Sequence, residues 1–152
     1  MIVVVVDAAN VMGSRPDGWW RDRAGAAVRL HADLAHLAAA GVSVEGHGAM
    51  PAAIVLVLEG AARGAMPRIQ AAGEPDALAG PAGLGGAIAE GKVSVVLAQG
   101  SGDDAIVAAV EELSGECLVV TADRELRRRC EALGASLMRP GWLLGQLGGA
   151  RQ

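Results

Sequence analysis

The stretch MIVVVVDAANVM (residues 1–12) carries an unbroken apolar run from Ile2 to Val6 and then an aspartate, Asp7. A strand with one wet face alternates apolar and polar residues, whereas a strand buried on both faces does not. The unbroken run therefore predicts an inner strand of a parallel sheet, covered by helices above and below. The first charge arrives where that strand stops.

Four more runs repeat the pattern: AIVLVL (53–58), VSVVLA (93–98), CLVVT (117–121) and the weaker ASLM (135–138). Helical spacing fills the gaps. From about Trp19 to Ala40, Val28, Leu30, Leu34 and Leu37 recur every three to four residues, with Asp17 as cap and Gly41 as stop. Residues 102–113 carry Ile106, Val107, Val110 and Leu113, and residues 123–133 carry Leu126, Cys130 and Leu133 before Gly134. A last short helix follows Pro140. Strand–helix alternation of this kind predicts an α/β fold: a three-layer α/β/α sandwich around a central, mainly parallel five-stranded sheet, with strand one in the middle. Residues 1–152 read as one domain with no internal repeat. The segment 60–92, which includes AGPAGLGG (79–86), is rich in Ala, Gly and Pro and is expected to be a flexible insertion with some short helix.

Composition narrows the function. With no Phe, no Tyr and three Trp, the core must be built mostly from small aliphatic side chains. A net charge of −4 excludes a generally basic nucleic-acid coat, so any contact with nucleic acid must use local arginines. Cys117 and Cys130 match no metal or redox spacing and read as buried thiols in a reducing compartment. The N-terminus lacks a basic leader and meets Asp7 at once, and no run approaches the ~20 apolar residues of a membrane span. A cytoplasmic location away from membranes is expected, and a homodimeric assembly stays open.

In an open parallel sheet, ligands bind at the carboxyl ends of the strands. Asp7 follows the first strand, Glu59 the second, Asp103 and Asp104 the third after the turn QGSG, and Asp123 the fourth. Each alone is an ordinary helix cap. Together at one edge they would repel and raise each other's pKa, which a hard divalent cation with oxygen ligands relieves. Neighbours on a helix diverge by ~100°, so either Asp103 or Asp104 could face the site.

VVDAANV (5–11), GSGDDAIV (100–107) and VVTADRELRRR (119–129) resemble the NYN domain of the PIN-like nuclease superfamily, its bacterial YacP-like branch in particular. The resemblance covers most of the chain outside 60–92. Asp7 and Asn10 match the first motif, Asp103 and Asp104 the paired acids that open a helix, and Thr121 and Asp123 the third motif. Glu59 departs from the pattern, since related domains often carry Asp there. The resemblance implies a ribonuclease that hydrolyses RNA with Mg2+ or Mn2+ held by Asp7, Asp103, Asp104 and Asp123. On that reading the metal lowers the pKa of a bound water and neutralises the phosphate under attack.

The remaining polar residues take secondary roles. Asn10 either orients the water or phosphate or shapes its turn. Thr121 either hydrogen-bonds a ligating carboxylate beside the substrate or is a plain strand residue. Arg124 and Arg15 are candidate substrate contacts. Arg127, Arg128 and Arg129 read as a solvated helix face. Trp19 and Trp20, interleaved with Arg21 and Arg23, read as core packing for the first helix, with base stacking as the alternative. The histidines have no ligand spacing. A haloacid-dehalogenase-type phosphatase is disfavoured because position 9 is Ala9 and Lys92 is the sole lysine, and GSG (100–102) is no P-loop. A non-catalytic PIN-like module that binds RNA or a protein is the other reading.

Overall fold

The structure, a computed structural model, describes residues 1–46, 48–72 and 82–150. Five parallel strands form the main sheet: β1 (Ile2–Asp7), β4 (Ala52–Leu58), β5 (Val93–Leu97), β6 (Leu118–Val120) and β7 (Ser136–Met138). Their order is β5-β4-β1-β6-β7, so β1 is central. The chain builds outward from β1 to one side as far as β5, then crosses to the other side at β6. This reversal makes the carboxyl end of β1 the topological switch point, where an open α/β sheet leaves a crevice.

Side-chain alternation along these strands feeds two cores. Val4, Val6, Ile54, Leu56, Leu58 and Val120 point to one face, where they meet Leu30, Leu34 and Leu37 of α2 (Arg23–Ala40) and Leu143 of α7 (Pro140–Ala150). Val3, Val5, Val55, Val57, Val96 and Val119 point to the other. There they meet Ile106 and Val110 of α5 (Gly102–Glu112) and Leu126 and Cys130 of α6 (Arg124–Ala132). This is the three-layer α/β/α sandwich that the unbroken runs predict. Val is the commonest residue of these strands because both faces of the sheet are covered and β-branched side chains pack well on a pleat.

Several local expectations shift. Helix α2 begins at Arg23 rather than Trp19, because Trp19–Arg21 form a separate 3-10 turn after Gly18, whose φ is +74°. Its cap is Asp22, whose Oδ1 accepts the Gly25 N–H at 2.9 Å; a Cβ at position 25 would collide with that carboxylate. Asp17 instead pairs with Arg29 at 3.7 Å. A short helix, α1 (Ala8–Gly13), follows β1 directly. An antiparallel ribbon of β2 (Val42–Val44) and β3 (Gly48–Met50) leads into β4. Gln146 ties this ribbon to α7, accepting from the Ser43 N–H at 2.8 Å and donating to the Ser43 carbonyl at 2.9 Å.

The segment 60–92 divides. Residues Gly60–Ala65 form a 3-10 helix and Met66–Ala71 form α3. Ala62, Ala65, Met66 and Ile69 are buried in the α2 core, so this part is packed rather than a loop. Leu84–Ala87 form one helical turn, α4, whose Leu84 is buried. The expected flexibility falls partly on residues 73–81, outside the described residues. Cys117 and Cys130 are buried free thiols, and burial pushes each up to about 11. No helix among the described residues is long and apolar enough to cross a membrane.

Candidate active site

Asp7 is the last residue of β1 and is only 6% exposed. Its Oδ1 accepts the Asn10 N–H at 3.3 Å, capping α1, and its Oδ2 accepts the Thr121 hydroxyl at 3.0 Å. Thr121 leaves β6 fully buried, and its Oγ1 in turn accepts the Asp123 N–H at 3.2 Å. One hydroxyl thus bridges two candidate carboxylate residues on different strands. Asn10 adds a second bridge, because its Oδ1 accepts the Ala122 N–H at 2.9 Å. That leaves the Asn10 side-chain NH2 as a donor with no protein partner among the described residues. Thr121 is therefore an organising residue rather than a plain strand position, and Asn10 is more than a turn residue.

Burial dominates the electrostatics. Removal from water pushes Asp7 from the ordinary 3.8 to about 6, and repulsion from Asp103 and Glu59 adds to it. The two hydrogen bonds, from Asn10 and Thr121, pull the other way. The Asp103 carboxyl is also raised, first by desolvation, then by Asp123 and Glu59, while Arg129 lowers it. Asp103 and Glu59 thus act on Asp7, and Asp123, Glu59 and Asp104 act on Asp103, across a single edge of the sheet.

Asp103 and Asp104 differ in their contacts. Ser101 caps α5, its Oγ accepting the Asp104 N–H at 3.2 Å. Asp103 couples to the acidic group. Asp104 has a side chain 75% exposed and pairs with Arg129 of α6 at 3.1 Å. Glu59 takes a role the sequence does not reveal: its Oε2 accepts the Gly102 N–H at 2.6 Å, setting a negative charge at the α5 N-terminus. Gly102 permits this approach, since a Cβ there would lie 2.8 Å from the Glu59 carboxyl carbon. The glycine after Ser101 is the one sequence signal that could have hinted at it.

Asp123 serves two ends. Its Oδ1 accepts the Leu126 N–H at 3.0 Å, capping α6, while its charge acts on Asp103. Asn caps a helix about as well as Asp, and Ala does not. Asp123→Ala should therefore cost about 1 kcal/mol of unfolding free energy, and Asp123→Asn should cost almost none. If cleavage activity falls equally in both, the carboxylate has a task beyond the cap. Urea unfolding and an RNA cleavage assay on the same two variants check this.

Donor chemistry suits a hard cation, since every group at this edge offers oxygen. Among the described residues, however, no three His, Cys, Asp or Glu side chains converge closely enough to grip a metal alone. Mg2+ is commonly bound by one or two carboxylates, with water and phosphate oxygens filling the other positions. One or two carboxylates drawn from Asp7, Asp103 and Asp123 would suit that mode.

The arginines distribute differently from the expectation. Arg15 donates to Asp33 at 2.8 Å, and Asp33 is 4% exposed, so this guanidinium clamps the end of α1 to α2 instead of standing free. Arg127 is not on a solvated face: its Nη1 donates to the Thr121 carbonyl at 2.7 Å and the Met138 carbonyl at 3.3 Å. Arg128 pairs with Glu125. Arg124 is exposed and has no ion-pair partner among the described residues. Trp19 packs against the core, whereas Trp20 is 57% exposed with the Arg21 guanidinium 5.7 Å from its ring centre.

No protein-family model and no curated protein sequence matches the chain. Among solved structures, the chain is similar to Rae1 (YacP) from Bacillus subtilis, with a TM-score of 0.64 and 16% identity. The match covers 99% of this chain and 77% of that one. At that identity the likeness is one of fold, and it spans the whole architecture: a mixed α/β chain with a central five-stranded parallel sheet flanked by helices, as in the YacP structure.

Proposed function

We propose that the chain is a metal-dependent ribonuclease that hydrolyses RNA phosphodiester bonds at the acidic edge around Asp7, with Mg2+ or Mn2+ as cofactor. One observation carries this reading. Four carboxylates reach one sheet edge from the ends of four strands, and their mutual repulsion is left without an internal cation at Asp7. The likeness to the YacP fold and the three matching motifs support it.

Carboxylates among Asp7, Asp103 and Asp123, completed by water and phosphate oxygens, would hold the metal, which when bound would lower the pKa of its water and offset charge on the phosphate. The protein's own share is positional. Thr121 fixes the Asp7 carboxylate by donating its O–H to Oδ2, while its own Oγ1 accepts the Asp123 N–H. Asn10, locked through Oδ1, would offer its NH2 hydrogens to a phosphate oxygen. Arg124, without an ion-pair partner among the described residues, offers its guanidinium to a phosphate beside Asp123. Because Asp7 gives up its proton near pH 6, metal affinity should rise as pH passes through that value.

The second reading, a PIN-like module that binds RNA or a protein without cutting, draws on the absence of three converging metal ligands among the described residues. Labelled single-stranded and structured RNA, incubated with manganese or with chelator, separates the two. Cleavage in manganese alone supports the nuclease. RNA left intact in both conditions, but bound, supports the module.

A further inference from the structure

Beside Asp123, a cavity of about 500 Å³ is lined by Ala122, Arg124, Arg127, Arg128, Glu131 and Arg139. Four of its six lining residues are arginines, in a chain whose net charge is −4. Their charges are only partly matched. Arg128 pairs with Glu125, and Arg127 is spent on two backbone carbonyls, with no carboxylate partner among the described residues. Arg124 and Arg139 are exposed and have no ion-pair partner among the described residues. Against them the lining sets one acid, Glu131.

The position is fixed by the sheet. Val120 and Met138 are register partners of β6 and β7, so Arg139 leaves the sheet level with Thr121, two residues from Asp123. The arginines therefore stand at the same carboxyl edge as the acidic group and extend it toward β7. Acids at one end and bases at the next is the charge order a bent phosphodiester chain would meet if one phosphate sat at the acids and its neighbours lay along the arginines. Guanidinium forks bind phosphate oxygens bidentately. The lining has no aromatic ring and no large apolar side chain that could hold a base. We infer that this depression is a phosphate-binding subsite that takes the RNA backbone next to the bond being cut, and that it does so without reading sequence. The inference rests on the proposed function for its occupant.

The test measures binding alone, in chelator, so that cleavage does not enter. Fluorescence anisotropy with labelled single-stranded oligoribonucleotides of unrelated sequence would compare wild type, Arg139→Glu and Arg68→Glu. Arg68 is exposed on α3, outside the depression, and carries the same charge change. Arg139→Glu should weaken binding about tenfold on every sequence, the scale of a lost charge-assisted contact, while Arg68→Glu stays within about twofold. Arg139→Ala should also lower the slope of log affinity against log salt by about 0.7, as one lost phosphate contact on a single strand does. Equal affinities for the two Glu variants, a loss confined to one sequence, or no RNA binding by wild type would each overturn the subsite. Whether wild type cuts RNA in manganese is read separately: loss of binding in Arg139→Glu without any cleavage would leave the subsite standing and remove the nuclease reading.

Discussion

Asp7→Asn should raise the melting temperature of the metal-free chain at pH 8, leave it nearly unchanged at pH 4, and abolish manganese-dependent cleavage. The folded chain holds the Asp7 proton to about pH 6, while an unfolded aspartate releases it near 3.9. A carboxyl raised in this way contributes stability that is fully present below the unfolded pKa and is lost as pH rises through about 6. By pH 8 the buried ionised carboxylate costs about 3 kcal/mol relative to its low-pH state. Asn carries no charge and escapes that cost. It also presents NH2 hydrogens to either the Asn10 N–H or the Thr121 hydroxyl, which both address Asp7 oxygens, and this offsets about 1 kcal/mol. The net gain of about 2 kcal/mol corresponds to roughly 4–8 °C in a domain of this size. Manganese should stabilise wild type by mass action and not the variant. Cleavage should fall by about 10²–10³-fold, the scale on which loss of one charge-stabilising group is felt. A variant that melts below wild type at pH 8 in chelator would mean that Asp7 is structural.

The elements that carry the site were legible because their signals are local. Unbroken runs such as Ile2–Val6 report burial on both faces, and a parallel sheet so built presents its carboxyl ends together, which brings Asp7, Glu59, Asp103 and Asp123 to one edge. The β2–β3 ribbon was passed over because its three-residue strands are too short to show a period. The start of α2 is ambiguous in sequence because Asp17 and Asp22 are equally good caps, and only Gly18 at positive φ breaks the chain between them. What stayed hidden depends on partners far along the chain. Glu59 finds its N–H donor 43 residues away at Gly102, and Arg127 finds the Met138 carbonyl on a neighbouring strand. Arg15 looked available beside the first motif, yet Asp33 lies one helix away and claims it. A charged side chain's type is written in sequence, but its neutralising partner is a property of the packed layers.

Asp103→Asn and Asp104→Asn, adjacent substitutions of identical chemistry, should differ in activity by about a hundredfold. Asp103 is the member that acts on the group: Asp123 and Glu59 raise its carboxyl, and it raises Asp7 in turn. Removing its charge should draw the Asp7 transition below about 6 in chelator, which the pH dependence of stability or the carboxyl NMR signal would follow. The same substitution should lower manganese-dependent cleavage about 10²-fold. Asp104 spends its carboxylate on Arg129 at 3.1 Å, with a side chain 75% exposed. An exposed pair contributes about 0–1 kcal/mol, and a charge in the first helical turn adds only a few tenths more. Asp104→Asn should thus lower stability by no more than about 1 kcal/mol and leave cleavage within about threefold. Freed from Asp104, Arg129 keeps its pull on Asp103, and the lost Asp104 charge is the smallest of the influences on that carboxyl. Equal losses of cleavage in the two variants would show that the helix start works as a diffuse negative patch. A larger loss from Asp104→Asn would mean that α5 turns its other face to the substrate, and the assignment of Asp103 as the inward carboxylate would fall with it.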